Sequence, residues 1–205
     1  MKRVSQILSY IFSPLLVPTY GMILASFLSV LSVLSARVLC TTVAITFVIT
    51  CVIPACGIMA MYKTGFLTDP GVNVRTERSL PYALTILCYV GCCFFLYRAG
   101  APSWLTMFYA GGGAAALINA VVNLKWKISA HAAAMGGLVA MLFRIAAMHQ
   151  SVVDLNIWIS AVVVLAGAVM TARVYLQRHT LMQVLAGCAN GFLCVWLLTM
   201  FYIHS

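Results

Sequence analysis

The chain has 205 residues, 64% hydrophobic and 7% charged, with 12 Lys+Arg against 3 Asp+Glu and a formal net charge of +9. A soluble domain carries about a quarter charged residues, so there is too little polar surface here to cover a globule in water. Disordered, collagenous and disulfide-framework classes fall with it, and the composition is that of an integral membrane protein.

About 20 apolar residues span a bilayer. In chain order the candidate spans are about 14–34, 38–62, 81–98, 103–122, 128–148, 155–174 and 181–203, after an interfacial stretch before Pro14. Short connectors make neighbouring spans antiparallel. The expected fold is therefore an all-α polytopic transmembrane helical bundle of six to seven spans, forming a single integral membrane domain over residues 1–205. The eight cysteines lie almost entirely inside apolar runs and read as small buried residues. No basic run or aromatic-basic interleaving points to nucleic acid.

Small residues mark close helix approaches: Gly111 to Gly113, Gly136 and Gly137, and a G-x-x-x-G at Gly187 and Gly191. Asn119 and Asn123 share one helix face and must find partners inside the bundle. The long polar interruption at 63–80 stands out among short connectors, as functional loops do.

Alternation of the spans places the N-terminus, the 63–80 loop and the connectors at 123–127 and 173–180 on one side. That side gathers Arg75, Arg78, Lys125, Lys127, Arg173, Arg178, His131 and His179, with Glu77 as the only nearby acid. Helix N-termini at Ser129 and Thr180 add backbone N–H donors that favour an anion. Arginine forks suit phosphate oxygens, and two histidines in such a field suit a nucleophile and a proton donor. His149 and His204 lack such company and read as interfacial.

The spacing Arg173-Val-Tyr-Leu-Gln-Arg-His179-Thr-Leu-Met-Gln183 resembles the S-R-x5-H-x3-D motif of the type 2 phosphatidic acid phosphatase superfamily, with Ala172 and Gln183 in place of its Ser and Asp. Ile128-Ser129-Ala130-His131 resembles the P-S-G-H motif. Arg75-Thr-Glu-Arg78-Ser-Leu-Pro81 echoes the family's K-x6-R-P without its spacing. The resemblance implies a membrane phosphatase acting on a lipid or polyprenyl phosphate, with no metal and no cofactor. It further implies that His179 is the nucleophile, Arg173 holds phosphoryl oxygens and His131 protonates the leaving alcohol. Ser129, Lys127 and Arg75 or Arg78 would bind phosphate, and Gln183 would orient His179. Thr180 and Gln183 also form a capping-box pattern. The alternative is a weak or inactive relative that binds anionic lipid headgroups, a reading favoured by Gln183.

The expected setting is a bacterial inner membrane, with membrane lipids as partners. Nine of the 12 Lys+Arg lie on the site's side, which the positive-inside rule reads as cytoplasmic. Members of the resembled family more often face outward, so the two indications oppose each other.

Overall fold

The computed structural model describes residues 1–200, so the end of the last expected span and His204 lie outside the described residues. Within them the chain is helical: α1 (Lys2–Ile11), α2 (Val17–Leu28), α3 (Ala36–Phe47), α4 (Ile53–Lys63), α5 (Ser79–Arg98), α6 (Ser103–Asn123), α7 (Ala130–Ala147), α8 (Asn156–Tyr175) and α9 (Leu181–Met200). Six stretches among the described residues are long and apolar enough to cross a membrane, beginning with Ala36–Lys63.

That first crossing joins α3 to α4 through a π-helical turn, Val48–Val52. Pro54 follows at once in the first turn of α4. Proline lacks an N–H and crowds the preceding turn, and a π turn accommodates both. The next crossing starts earlier than the sequence implied, because a 3₁₀ turn at Arg75–Arg78 runs directly into α5.

The expected span 14–34 is not one long helix. α2 has 12 residues, about 18 Å at 1.5 Å per residue, against a hydrocarbon core of about 30 Å. It stops where Ser29 turns extended and caps the 3₁₀ helix Val30–Val33. The same segment is pinned to the far end of the bundle, where Val30 N–H donates to the Gln150 carbonyl and Ser29 pairs with Ser151. At its other end the Tyr109 hydroxyl donates to the Pro18 carbonyl at 2.8 Å. Ser9 and Ser13 before it line the cavity, so α2, starting at mid-depth, still carries the chain from the site side to the far end, and the alternation of sides is kept.

α1 is amphipathic in an unusual sense. Val4, Ile7 and Ile11 are exposed, while Ser9 is buried. Its polar positions Lys2, Gln6 and Ser9, followed by Ser13, line an internal cavity. This helix packs against α8.

The closest packing is between α7 and α9. A Cβ on Gly191 would collide with the Ala133 carbonyl, one on Gly136 with the Cys188 carbonyl, and one on Gly187 with the Ser129 carbonyl. The G-x-x-x-G thus meets small residues in reciprocal backbone contact, as membrane helices use such motifs. Asn190 adds a cross-helix bond, its Nδ2 donating to Asn119 Oδ1 at 3.0 Å. Asn123 Nδ2 donates to the Arg75 carbonyl at 2.9 Å.

Gly191→Ala is expected to destabilise the protein by about 1–3 kcal/mol through overpacking. Gly167→Ala, with nothing within 4 Å of an added Cβ, is expected to gain about 0.5–1 kcal/mol from helix propensity. Equilibrium unfolding of both variants in detergent checks the contrast; equal effects would show that the contact does not hold α7 to α9.

Candidate active site

A cavity of about 520 Å³ opens at the cationic end of the bundle. Arg78, Arg173, Arg178, His131 and His179 all line it, together with Lys2. The two histidines, 48 positions apart in sequence, are brought to one wall because α7 begins just before His131 and α9 begins just after His179. A backbone bond locks these two starts together: Ser129 N–H donates to the Gln183 carbonyl at 3.3 Å.

His179 is 6% exposed. Its Nδ1 lies 3.2 Å from Gln183 Oε1, and the Thr180 N–H donates to the same oxygen at 3.2 Å. An atom receiving a backbone N–H is the amide oxygen, so Nδ1 carries the hydrogen and Nε2 keeps its lone pair. Gln183 N–H in turn donates to Thr180 Oγ1 at 3.4 Å. The capping box and the imidazole contact are present together, made by one amide.

Electrostatics set the protonation state. Burial, and then Arg78, Arg173 and Lys127, pull the His179 pKa down to about 3, against a smaller upward pull from Gln183. The ring is neutral at physiological pH, the form with a nucleophilic lone pair. Burial and the three arginines likewise lower the pKa of the Lys127 ammonium.

Arg173 is 8% exposed, and its Nε has no hydrogen-bond partner among the described residues. Leaving such a donor unpaired costs about 1–3 kcal/mol. Arg78 is also buried, donating through Nε to the Val72 carbonyl at 3.0 Å and through Nη1 to the Ile128 carbonyl at 3.1 Å. It ties the 64–74 loop to the start of α7 while facing the cavity. Cations this close repel one another, so an anion among them relieves both the repulsion and the unpaired donor.

His131 Nε2 lies 3.1 Å from the Ser9 carbonyl. A carbonyl only accepts, so Nε2 carries the hydrogen and α1 is tethered over the cavity.

Three expected phosphate ligands stand apart from this group. Arg75 does not line the cavity; its Nη1 donates to the carbonyls of Asn123, at 2.8 Å, and Leu124. It staples the 3₁₀ turn to the end of α6. Ser129 is fully buried, and its hydroxyl accepts from Ala132 N–H as the cap of α7. Lys127 contributes field without lining the cavity.

Four features escaped the sequence reading. Arg178 was grouped with the cations, yet it was not assigned to the site it lines. The Tyr82 hydroxyl, one helical turn past Arg78, is buried on the cavity wall beside the Arg78 guanidinium. The polar stripe of α1 was visible as Lys2, Gln6, Ser9 and Ser13 at helical spacing, a signal overlooked beside the apolar runs. Asp69 is the acid whose carboxyl feels Arg178: backbone N–H bonding from Gly71 chiefly lowers its pKa, with a smaller contribution from Arg178. Glu77 instead clasps the loop, accepting from Thr68 N–H and Oγ1 at 3.0 and 2.8 Å.

The family model of the PAP2 superfamily matches residues 101–204. The chain belongs to the PAP2 superfamily. The match takes in His131, Arg173, His179 and Gln183, while the echo of the first motif around Arg75 falls outside it. No curated protein and no solved structure matches the chain. PAP2 superfamily members are phosphatases, which supports a phosphoester hydrolase activity in general terms.

The depressed His179 pKa has a stability consequence with a definite sign. The unfolded chain takes up a proton at this ring below about 6.5, whereas the folded chain does so only near about 3. The stabilising contribution is complete above the unfolded value and is lost as pH falls through this window. Wild type should therefore lose more thermal stability than His179→Gln between pH 7.5 and 5. Equal losses would mean that the imidazole titrates normally.

Proposed function

We propose that the chain is a membrane phosphatase that hydrolyses a lipid or polyprenyl phosphate through a phosphohistidine at His179. The observation that carries this reading is the neutral, buried His179, its Nδ1 held by Gln183 Oε1 at 3.2 Å, lining the same cavity as Arg78, Arg173 and Arg178.

In the proposed reaction the Nε2 lone pair attacks phosphorus and the bond from phosphorus to the lipid oxygen breaks. The departing oxygen takes a proton from His131, which must be the imidazolium at this step: its Nε2–H leaves the Ser9 carbonyl and its Nδ1 binds a second proton once the phosphate dianion has entered. Water then attacks the phosphohistidine, phosphate departs, the His179 imidazole is restored and His131 recovers a proton. The arginines hold the phosphoryl oxygens and stabilise their charge without reorganising. Lys127 adds to the same field. Ser129 acts by fixing the start of α7 and presenting the N–H groups there.

A second reading, an inactive relative that binds lipid phosphate headgroups, draws on one observation. Gln183 Oε1 is shared with the Thr180 N–H, so the residue has a structural reason to be present. An amide cannot support an imidazolium as a carboxylate does; the comparable change in a serine protease triad costs about ten-thousandfold.

His179→Ala is expected to abolish phosphate release from a panel of lipid phosphates while leaving membrane insertion and folding intact. Undiminished turnover would overturn the phosphohistidine step. Gln183→Asp is expected to raise the rate by less than that ten-thousandfold factor, at a cost of about 1 kcal/mol in helix capping. Rates and melting temperatures of Gln183→Asp and Gln183→Ala, measured side by side, separate the orienting role from the capping role. Headgroup binding with no release by wild type would favour the second reading.

A further inference from the structure

The cavity does not end at the charged residues. Arg78, Arg173, Arg178 and His179 form its mouth, but its lining continues to Tyr89, Phe108, Gly112, Ala116, Gly137 and Val195. At a rise of about 1.5 Å per residue, Gly112 lies about 16 Å along α6 from its Asn123 end. Val195 lies about 21 Å along α9 from Leu181. The hydrocarbon core of a bilayer is about 30 Å thick, so the cavity runs from the headgroup level past the membrane midplane, inside the bundle. Ala116 fills little of it, while Gly112 and Gly137 let the Tyr89 ring and the Val195 side chain pack close, 2.7 and 3.2 Å from where a Cβ would stand.

Its chemistry changes with depth. The charged lining residues belong to the mouth, and below Asn119 the walls are mostly aromatic, aliphatic or glycine backbone, with the Thr85 and Tyr89 hydroxyls as their polar side-chain groups. Water is held where it finds two to four polar partners, and here they are few, since the Thr85 hydroxyl already donates to the Pro81 carbonyl at 2.8 Å. An apolar occupant is favoured, at about 25 cal/mol per Å² of surface removed from water.

We propose that this lower part is a binding site for the hydrocarbon chain of the substrate whose phosphate sits at the mouth. The site takes a single long, unbranched or slender chain, which descends between α5, α6, α7 and α9 instead of lying in the surrounding lipid. The inference rests on the lipid phosphate reading, because continuity with the cationic mouth is what identifies the occupant. It adds a length selection: Tyr89, Phe108 and Val195 close the far end, so affinity rises with chain length until that end is reached.

The test uses hexadecyl phosphate carrying a photoreactive diazirine at its terminal carbon, with the full chain in lipid nanodiscs. Labelling is expected on peptides holding Phe108, Tyr89 or Val195, and unlabelled hexadecyl phosphate should compete it away. Labelling confined to lipid-facing positions such as Leu87, Phe94 and Leu193, which are 68%, 66% and 52% exposed, would overturn the proposal, as would labelling that no competitor reduces. Ala116→Phe and, independently, Ala134→Phe place a ring in the passage. Each is expected to reduce interior labelling at least tenfold; labelling equal to wild type in a folded variant would overturn the site. The two readings fail separately. Interior labelling without phosphate release from any alkyl phosphate sinks the hydrolase and keeps the chain site, whereas release with exterior labelling does the reverse.

Discussion

The backbone contact between α7 and α9 is the constraint on which the rest of the site depends. In a bilayer the lipid tails are as apolar as the helix surfaces, so burial supplies little drive and helices associate by close packing. Gly136, Gly187 and Gly191 allow carbonyls of the facing helix to approach where any side chain would collide. The contact is nearest the site at Gly187, which rests on the carbonyl of Ser129, two residues before His131. The Ser129 N–H bond to the Gln183 carbonyl closes the same junction. Two histidines far apart in sequence are thereby held on one wall with no direct bond between them.

Charge follows from that geometry. Arg78, Arg173 and Lys127 stand around a buried imidazole with no carboxylate paired to them among the described residues, and the ring responds by staying neutral. Arginine does not respond in that way, since its guanidinium stays charged at physiological pH even when burial lowers its pKa. Its cost is borne by bonds to carbonyls, as Arg78 makes to Val72 and Ile128, or is left standing, as at Arg173 Nε. The same residues that hold the loop in place therefore create the demand for an anion.

Much of this was legible in the sequence, and the reasons for the gaps are physical. Alternation of apolar runs put His131, Arg173 and His179 at one end, and it survived the error over the first span because α2 still carries the chain from the site side to the far end. The break at Ser29 was not visible, since Thr19, Ser26, Ser29 and Ser32 are the only serine or threonine interruptions of the apolar run from Val17 to Leu34, and the tertiary bond from Val30 to Gln150 fixes where the helix stops. Arg75 and Ser129 matched a chemical pattern, but Arg75 is engaged by a carbonyl 48 residues away and the Ser129 hydroxyl by the Ala132 N–H of the helix it caps. The α1 stripe was missed for a different reason. An interfacial helix is ordinarily read with its polar face towards water, whereas here that face lines the cavity and the apolar face is exposed.

Gln183 shows why a motif position can change its residue without losing its geometry. Its Oε1 serves two donors at once, the Thr180 N–H and His179 Nδ1, each at 3.2 Å. An aspartate has one methylene less and would have to reach both from closer to the helix. A carboxylate there would also raise the His179 pKa, moving it from about 3 towards the ordinary range. In the free protein that would enlarge the protonated, non-nucleophilic fraction of the ring and so offset part of the gain that a carboxylate brings to the later charged state. With an amide, the ring stays neutral until a phosphate arrives. The negative charge that supports a developing imidazolium then comes from the substrate itself, already held by the arginines. On the proposed reading the amide trades stabilisation of the later charged state for readiness of the earlier neutral one. That exchange is tolerable only because the surrounding cations hold the phosphate and its charge close to the ring.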